Sequence, residues 1–233
     1  MQESSPTIEA VLREFLGDQQ ARLSERTFRQ YQEIVELLTI CLDNYGHQSL
    51  DRMERRRFEA AFRSDPGAFS HLFGPEKILD NLDEFLGYFI IRKVGYGGET
   101  LMRSAGAVSK KLVKWLVENG HVDREAGEVA ELGAAEAARD LPRAERLSQA
   151  LYELAARGPG ALVDPNSIAD ENHVEDQLQI SKVEPGKLWF EDYGPVAVPR
   201  SVSDLAREGW FVYVELGRTR KGWVLLGSGS VYP

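Results

Sequence analysis

The spacing of apolar residues changes once along this chain, and that change limits what the chain can fold into. Up to residue 157 apolar positions recur every three or four residues, the period of one helix face. From residue 174 they alternate, the period of a strand with one buried face. Between them lie residues 158–173, rich in Gly, Pro, Asn and Asp, which read as a linker. The pattern predicts an α+β multidomain protein: a helical domain over 1–157, the linker, and a small β domain over 174–233.

The helical part can be read element by element. Thr7 is placed to cap a helix carrying Ile8, Val11, Leu12, Phe15 and Leu16 on one face. Ser24 is placed to cap the next, which carries Phe28, Tyr31, Ile34, Val35, Leu38 and Leu42 and ends near Gly46. A short charged helix with Arg55, Arg56 and Arg57 is expected from Asp51 to Phe62. Pro75 opens a helix with Ile78, Leu79, Leu82, Phe85, Leu86 and Phe89 on its apolar face. Gly95 to Gly98 break the chain before a helix from Glu99 to Glu118. Residues 125–157 have helical composition, with interruptions expected at Gly133 and Pro142; Leu147, Leu151 and Leu154 either extend the helical core or face a partner.

In the β part, strands are expected at Val174–Val183, Lys187–Phe190, Val196–Val198, Trp210–Leu216 and Gly222–Leu226, with one helical turn over Ser201–Arg207. Short strands at this spacing predict a small closed β-barrel, SH3-like or OB-like. Alternation puts Trp210, Val212 and Val214 on one face and Phe211, Tyr213 and Glu215 on the other. One set is core; the other is available as a stacking or peptide-binding platform. Phe211, Tyr213, Arg218, Arg220 and Lys221 are therefore the barrel's candidate ligand residues, through which a protein partner is expected to bind.

Charge restricts the partners. The net charge of −9 argues against indiscriminate binding of polyanions. Segments 1–125, 126–174 and 175–233 hold 17 Lys+Arg against 20 Asp+Glu, 4 against 9, and 7 against 8, so the middle segment is the most acidic. A single cysteine, Cys41, between Ile40 and Leu42, reads as a buried thiol and fits the cytoplasm. Residues 1–6 lack a signal pattern, and no apolar run approaches the roughly 18 residues that span a bilayer, so no membrane partner is expected.

Two stretches resemble a known family. Phe15-Leu16 followed by Leu23-Ser24-Glu25-Arg26-Thr27-Phe28-Arg29-Gln30-Tyr31 resembles the L-S-x-x-T-x-x-x-Y junction of the SAM-like core-binding domain of tyrosine recombinases, the phage integrases. Leu86 to Ile90, Thr100 to Ala105, and Lys110, Leu112, Trp115 and Leu116 to Gly120 resemble that domain's last long helix. The resemblance covers residues 7–124, with a longer middle insertion. It implies a SAM-like bundle that grips duplex DNA by neutralising phosphates and fixing register with hydroxyls. Carried over by position, the implied DNA contacts are Ser24, Arg26, Thr27, Arg29, Arg92, Lys93, Thr100, Arg103, Lys110, Lys111 and Lys114.

The family's chemistry is not carried over. Recombinases hold their arginine, lysine, His-x-x-Arg and tyrosine nucleophile in a second, larger domain, and here a small β domain follows instead. His121-Val122-Asp123-Arg124 has the His-x-x-Arg spelling but falls where the core-binding resemblance ends. Tyr232 shows no activating neighbours in the sequence. His47, His71, His121 and His173 lack metal-ligand spacing. Gly95-Tyr96-Gly97-Gly98 precedes a helix as phosphate loops do, but has no Walker lysine, and is read as a hinge. The expectation is a non-enzymatic DNA-binding accessory protein with no cofactor and no metal; the alternative is a protein-interaction scaffold.

Overall fold

Side-chain caps start the first two helices where the sequence places them. In the computed structural model, which describes residues 6–93, 98–164 and 168–233, Thr7 Oγ1 accepts the Ala10 amide at 3.3 Å and opens α1 (Ile8–Gln20). Ser24 Oγ accepts the Thr27 amide at 3.3 Å and opens α2 (Glu25–Tyr45). Each cap satisfies an amide that a helix start otherwise leaves without a partner. Ile8, Val11, Leu12 and Phe15 of α1 and Ile34, Val35, Leu38 and Leu42 of α2 are buried, as their spacing requires. Cys41 is free and buried among them. Burial pushes its thiol up to about 12, which leaves it a poor nucleophile at neutral pH.

Gly46 follows the last residue of α2, and only glycine fits there because a ring lies on it. A Cβ at Gly46 would come within 2.6 Å of the Phe69 ring. Beyond it run α3 (Arg52–Phe62), α4 (Ala68–Leu72), α5 (Glu76–Asp80), α6 (Leu82–Glu84), a π-helical turn over Phe85–Phe89, and α7 (Ile90–Lys93). The single helix expected after Pro75 is thus divided. Asn81 leaves the helical region at φ −117° and gives its side-chain amide to the Ser49 hydroxyl at 2.9 Å and the Lys77 carbonyl at 2.8 Å. Its apolar face is nonetheless buried at Ile78, Leu82, Phe85, Leu86 and Phe89. α8 (Gly98–Glu118) buries Leu101, Val108, Leu112, Trp115 and Leu116. The Gly-rich break at 94–97 and residues 165–167 of the linker lie outside the described residues.

α9 (Arg124–Arg157) corrects the expected interruptions: it runs through both Gly133 and Pro142. Pro142 has no N–H for the Ala138 carbonyl, a defect that costs a helix interior about 3 kcal/mol. Burial on both sides of the defect, at Ala134, Leu141, Ala144 and Leu147, offsets it. By packing, the chain forms two compact units. One is built from residues up to Lys93 and Arg103–Ala138; the other takes the start of α8 up to Met102 and Arg139–Pro233.

The second unit contains a closed five-stranded barrel. Its strands are β1 (His173–Glu184), β2 (Lys187–Phe190), β3 (Tyr193–Ala197), β4 (Phe211–Thr219) and β5 (Gly222–Tyr232). Their order is β1-β2-β3-β5-β4, closed by β4 on β1. After β3 the chain passes through α10 (Arg200–Ser203), and β5, not β4, lies beside β3, parallel to it at Val196 and Trp223. A plain meander would place β4 there, so the crossover selects the Greek-key, OB-like alternative. Leu178, Ile180, Leu188, Phe190, Val196, Val212, Val214, Leu216, Leu225 and Val231 fill the interior. Ala144, Leu147, Leu151 and Ala155 of α9 belong to the same core cluster, with Leu154 packed against it. Arg143 fixes α9 to the loop after α10: its guanidinium donates to the carbonyls of Leu205 at 2.7 Å, Asp204 at 2.6 Å and Ala206 at 3.4 Å.

Candidate nucleic-acid interface and barrel surface

The residues carried over from the recombinase resemblance separate into three kinds. Ser24 and Thr27 work for the helix they start: Ser24 caps α2, and the two hydroxyls lie 3.0 Å apart. Several cations are matched by carboxylates. Arg29 pairs with Glu25, Lys110 with Glu131 at 4.0 Å, and Lys114 with Glu118 at 3.7 Å. Exposed pairs of this kind add roughly 0–1 kcal/mol to stability, and each carboxylate offsets its partner's field. Arg92 lies 5.9 Å from the Tyr88 ring centroid. The rest stand at the surface: Arg26, Thr100 and Arg103 are exposed and Lys111 is half-buried. The side chain of Lys93 lies outside the described residues.

The His-x-x-Arg spelling has local uses here. His121 stacks on Trp115, centroids 5.1 Å apart, with its Nε2 3.5 Å from Glu14. Asp123 accepts the Glu125 amide at 2.8 Å and the Ala126 amide at 3.3 Å, and so starts α9. Tyr232 is 8% exposed and pairs with Phe211 in the barrel.

A stronger cationic surface lies on α3. Residues 52–63 hold five arginines, Arg52, Arg55, Arg56, Arg57 and Arg63, against the acids Glu54 and Glu59. All five arginines are exposed. Arg55 donates to the His47 carbonyl at 3.3 Å, and among the described residues none of the five is in an ion pair. Glu54 is committed elsewhere: its carboxylate accepts the Asp51 amide at 3.0 Å and pairs with Lys77 at 3.0 Å. At 100° per residue Arg52, Arg56 and Arg63 fall within about 40° of one another, opposite the buried Phe58. Phe58 is the one buried side chain of α3; its ring stacks on His47 at 5.8 Å and meets Phe62 at 5.1 Å and Phe69 at 6.1 Å. The capping box of Asp51, which accepts the amides of Met53 at 2.7 Å and Glu54 at 2.8 Å, holds the first turn. In sequence this stretch shows only as a charged short helix. The surplus of arginine over acid was the available signal; that the acids are occupied appears only in three dimensions.

The barrel candidates divide as well. Trp210, Val212, Val214 and Leu216 face inward, while Phe211 and Tyr213 are 40% and 44% exposed. Tyr213 donates its hydroxyl to Glu175 at 2.7 Å, and this bond, with the surrounding carboxylates, raises the phenol above its ordinary range. Five residues further along β4, about 17 Å away, Arg218 lies 5.9 Å from the Trp223 ring, which meets Tyr193 edge-on at 5.3 Å. Arg220 and Lys221 are exposed at the hairpin tip, where Thr219 Oγ1 accepts the Lys221 amide at 3.1 Å and donates to the Gly222 carbonyl at 2.9 Å. The aromatic pair and the basic turn are therefore separate surfaces.

Among the described residues no group of three or more His, Cys, Asp or Glu gathers closely enough to hold a metal ion, and no helix is long and apolar enough to cross a membrane. No family model, curated protein or solved structure matches the chain.

Proposed function

We propose that the chain is a non-catalytic duplex-DNA-binding accessory protein whose helical unit grips the sugar-phosphate backbone. The observation that carries this is the run of unpaired, exposed arginines on α3. Guanidiniums outside any internal ion pair are available for bidentate contacts with phosphate. Arg52 and Arg56 are one turn apart, roughly 6 Å along the helix axis, a spacing that lets neighbouring phosphates be taken by one helix face. The recombinase resemblance supports the same reading through its implied DNA grip. The α3 arginines shift the weight from the α8 cations that the resemblance implies, two of which already have carboxylate partners, to the insertion between the two resembling stretches. The overall charge of −9 argues against indiscriminate phosphate contact over the rest of the surface.

Fluorescence anisotropy with a duplex, from low to moderate salt, tests it. Each neutralised phosphate adds roughly 0.9 to the log–log salt slope, so the triple change Arg52→Ala, Arg56→Ala, Arg63→Ala is expected to lower the slope by about 2 to 3. Substituting Lys110 and Lys114 is expected to change it less. Absence of binding at the lowest salt, or a slope untouched by the triple change, would overturn the reading. A second reading, a protein-interaction scaffold, is favoured by the carboxylate-flanked aromatic face of the barrel.

A further inference from the structure

The outer face of β1 and β4 carries an arrangement that a sheet does not need for itself. Glu175 and Glu215 are directly opposite each other in register. Like charges in opposed positions destabilise a strand pair. His173 Nε2 lies 2.9 Å from Glu215, and the Tyr213 hydroxyl serves Glu175, yet neither contact supplies a permanent positive charge. One register step away Tyr213 pairs with Gln177, and the next outward residue, Phe211, pairs with Gln179. The two rings therefore stand on one face about 7 Å apart along β4.

On the other side of β4 the neighbouring strand carries Tyr232 opposite Phe211 but leaves the face bare beside Glu215 and Tyr213. Gly227 lies under Glu215, where a Cβ would come within 2.9 Å of Oε2, and Gly229 lies under Tyr213, where a Cβ would come within 3.3 Å of the side chain. Glycine at these positions covers neither the carboxylate nor the ring. The result is a strip of two exposed rings and two opposed carboxylates with no fixed cation.

We propose that this strip is a docking surface for a cationic segment of a partner protein, an extended run bearing arginine or lysine. Its cations would sit between Glu175 and Glu215 and over the faces of Tyr213 and Phe211. Carboxylates beside aromatic rings reinforce the attraction of a ring face for a cation. The same carboxylates repel phosphate, so this surface rejects nucleic acid, and it is independent of the α3 reading.

The test uses the full chain and a dye-labelled eight-residue peptide with four arginines alternating with serine, beside the same peptide with citrulline in place of arginine. The arginine peptide is expected to bind and the citrulline peptide not to. Glu175→Gln with Glu215→Gln is expected to weaken binding about tenfold or more. These changes keep side-chain shape and remove a like-charge opposition, so thermal melting is expected to stay level or rise, and loss of fold does not confuse the result. Tyr213→Ala serves as a second variant, also expected to weaken binding. Glu125→Gln with Glu128→Gln on α9 is expected to leave it unchanged. The proposal is overturned if the arginine peptide fails to bind, if the α9 pair weakens it as much as the barrel pair, or if the citrulline peptide binds equally. Concentration-dependent self-association abolished by the barrel pair would also overturn it, since the occupant would then be a second copy of the chain.

Discussion

Arg143 does what an apolar residue in its place could not do. The loop after α10 presents three carbonyls to α9, and one planar guanidinium reaches all of them. A lysine offers a point charge and cannot span the set. Arg143→Ala is expected to destabilise the barrel unit by about 1.5 kcal/mol, the scale for hydrogen bonds from a charged donor, with Arg143→Lys recovering only part. Denaturant titration would read this as a lower midpoint at unchanged slope; an unchanged midpoint for the alanine variant would remove the clamp role. At this scale, what was legible in the sequence depended on range. Thr7 and Ser24 cap amides three residues away, so their roles could be read locally. Arg143 acts across 61 to 63 residues, and nothing beside it in sequence marks its acceptors.

Among the elements, α3 is the least anchored for its charge. Phe58 alone is buried, so the first turn depends on the Asp51 capping box. Asp51→Ala is expected to raise amide hydrogen exchange across α3 by about fivefold while α1 and α2 hold their protection. Exchange rising equally in all three helices would show that α3 opens only with the whole unit. Helix periodicity located α1, α2 and α8 because each carries a full apolar stripe. It misjudged α5 to α7, where Asn81 leaves the helical region and gives its side-chain amide to the Ser49 hydroxyl and the Lys77 carbonyl, and α9, where packing on both sides of Pro142 overrides a local breaker. The α3 arginines were visible as residues but not as a site, because their freedom depends on where Glu54 and Lys77 go.

At the scale of the whole chain, composition marks where regular structure ends, whereas packing decides which core a helix joins. The Gly- and Pro-rich stretch after residue 157 does end α9, yet α9 from Arg139 onward is packed with the barrel. Leu147 and Leu151 are fully buried in the barrel's cluster. A buried leucine contributes roughly 1.5–3 kcal/mol, and a domain of this size has only about 5 kcal/mol in hand. Removing α9 therefore takes away a share of stability that a small barrel cannot spare. A fragment over 139–233 is expected to melt cooperatively and give dispersed amide resonances, while 159–233 is expected to lose its cooperative transition and bind a hydrophobic dye. Equal melting of the two fragments would mean that the barrel closes its own core and that α9 only rests on it. Loss of structure in the shorter fragment would make Arg139 to Arg157 of α9 a working part of the barrel unit.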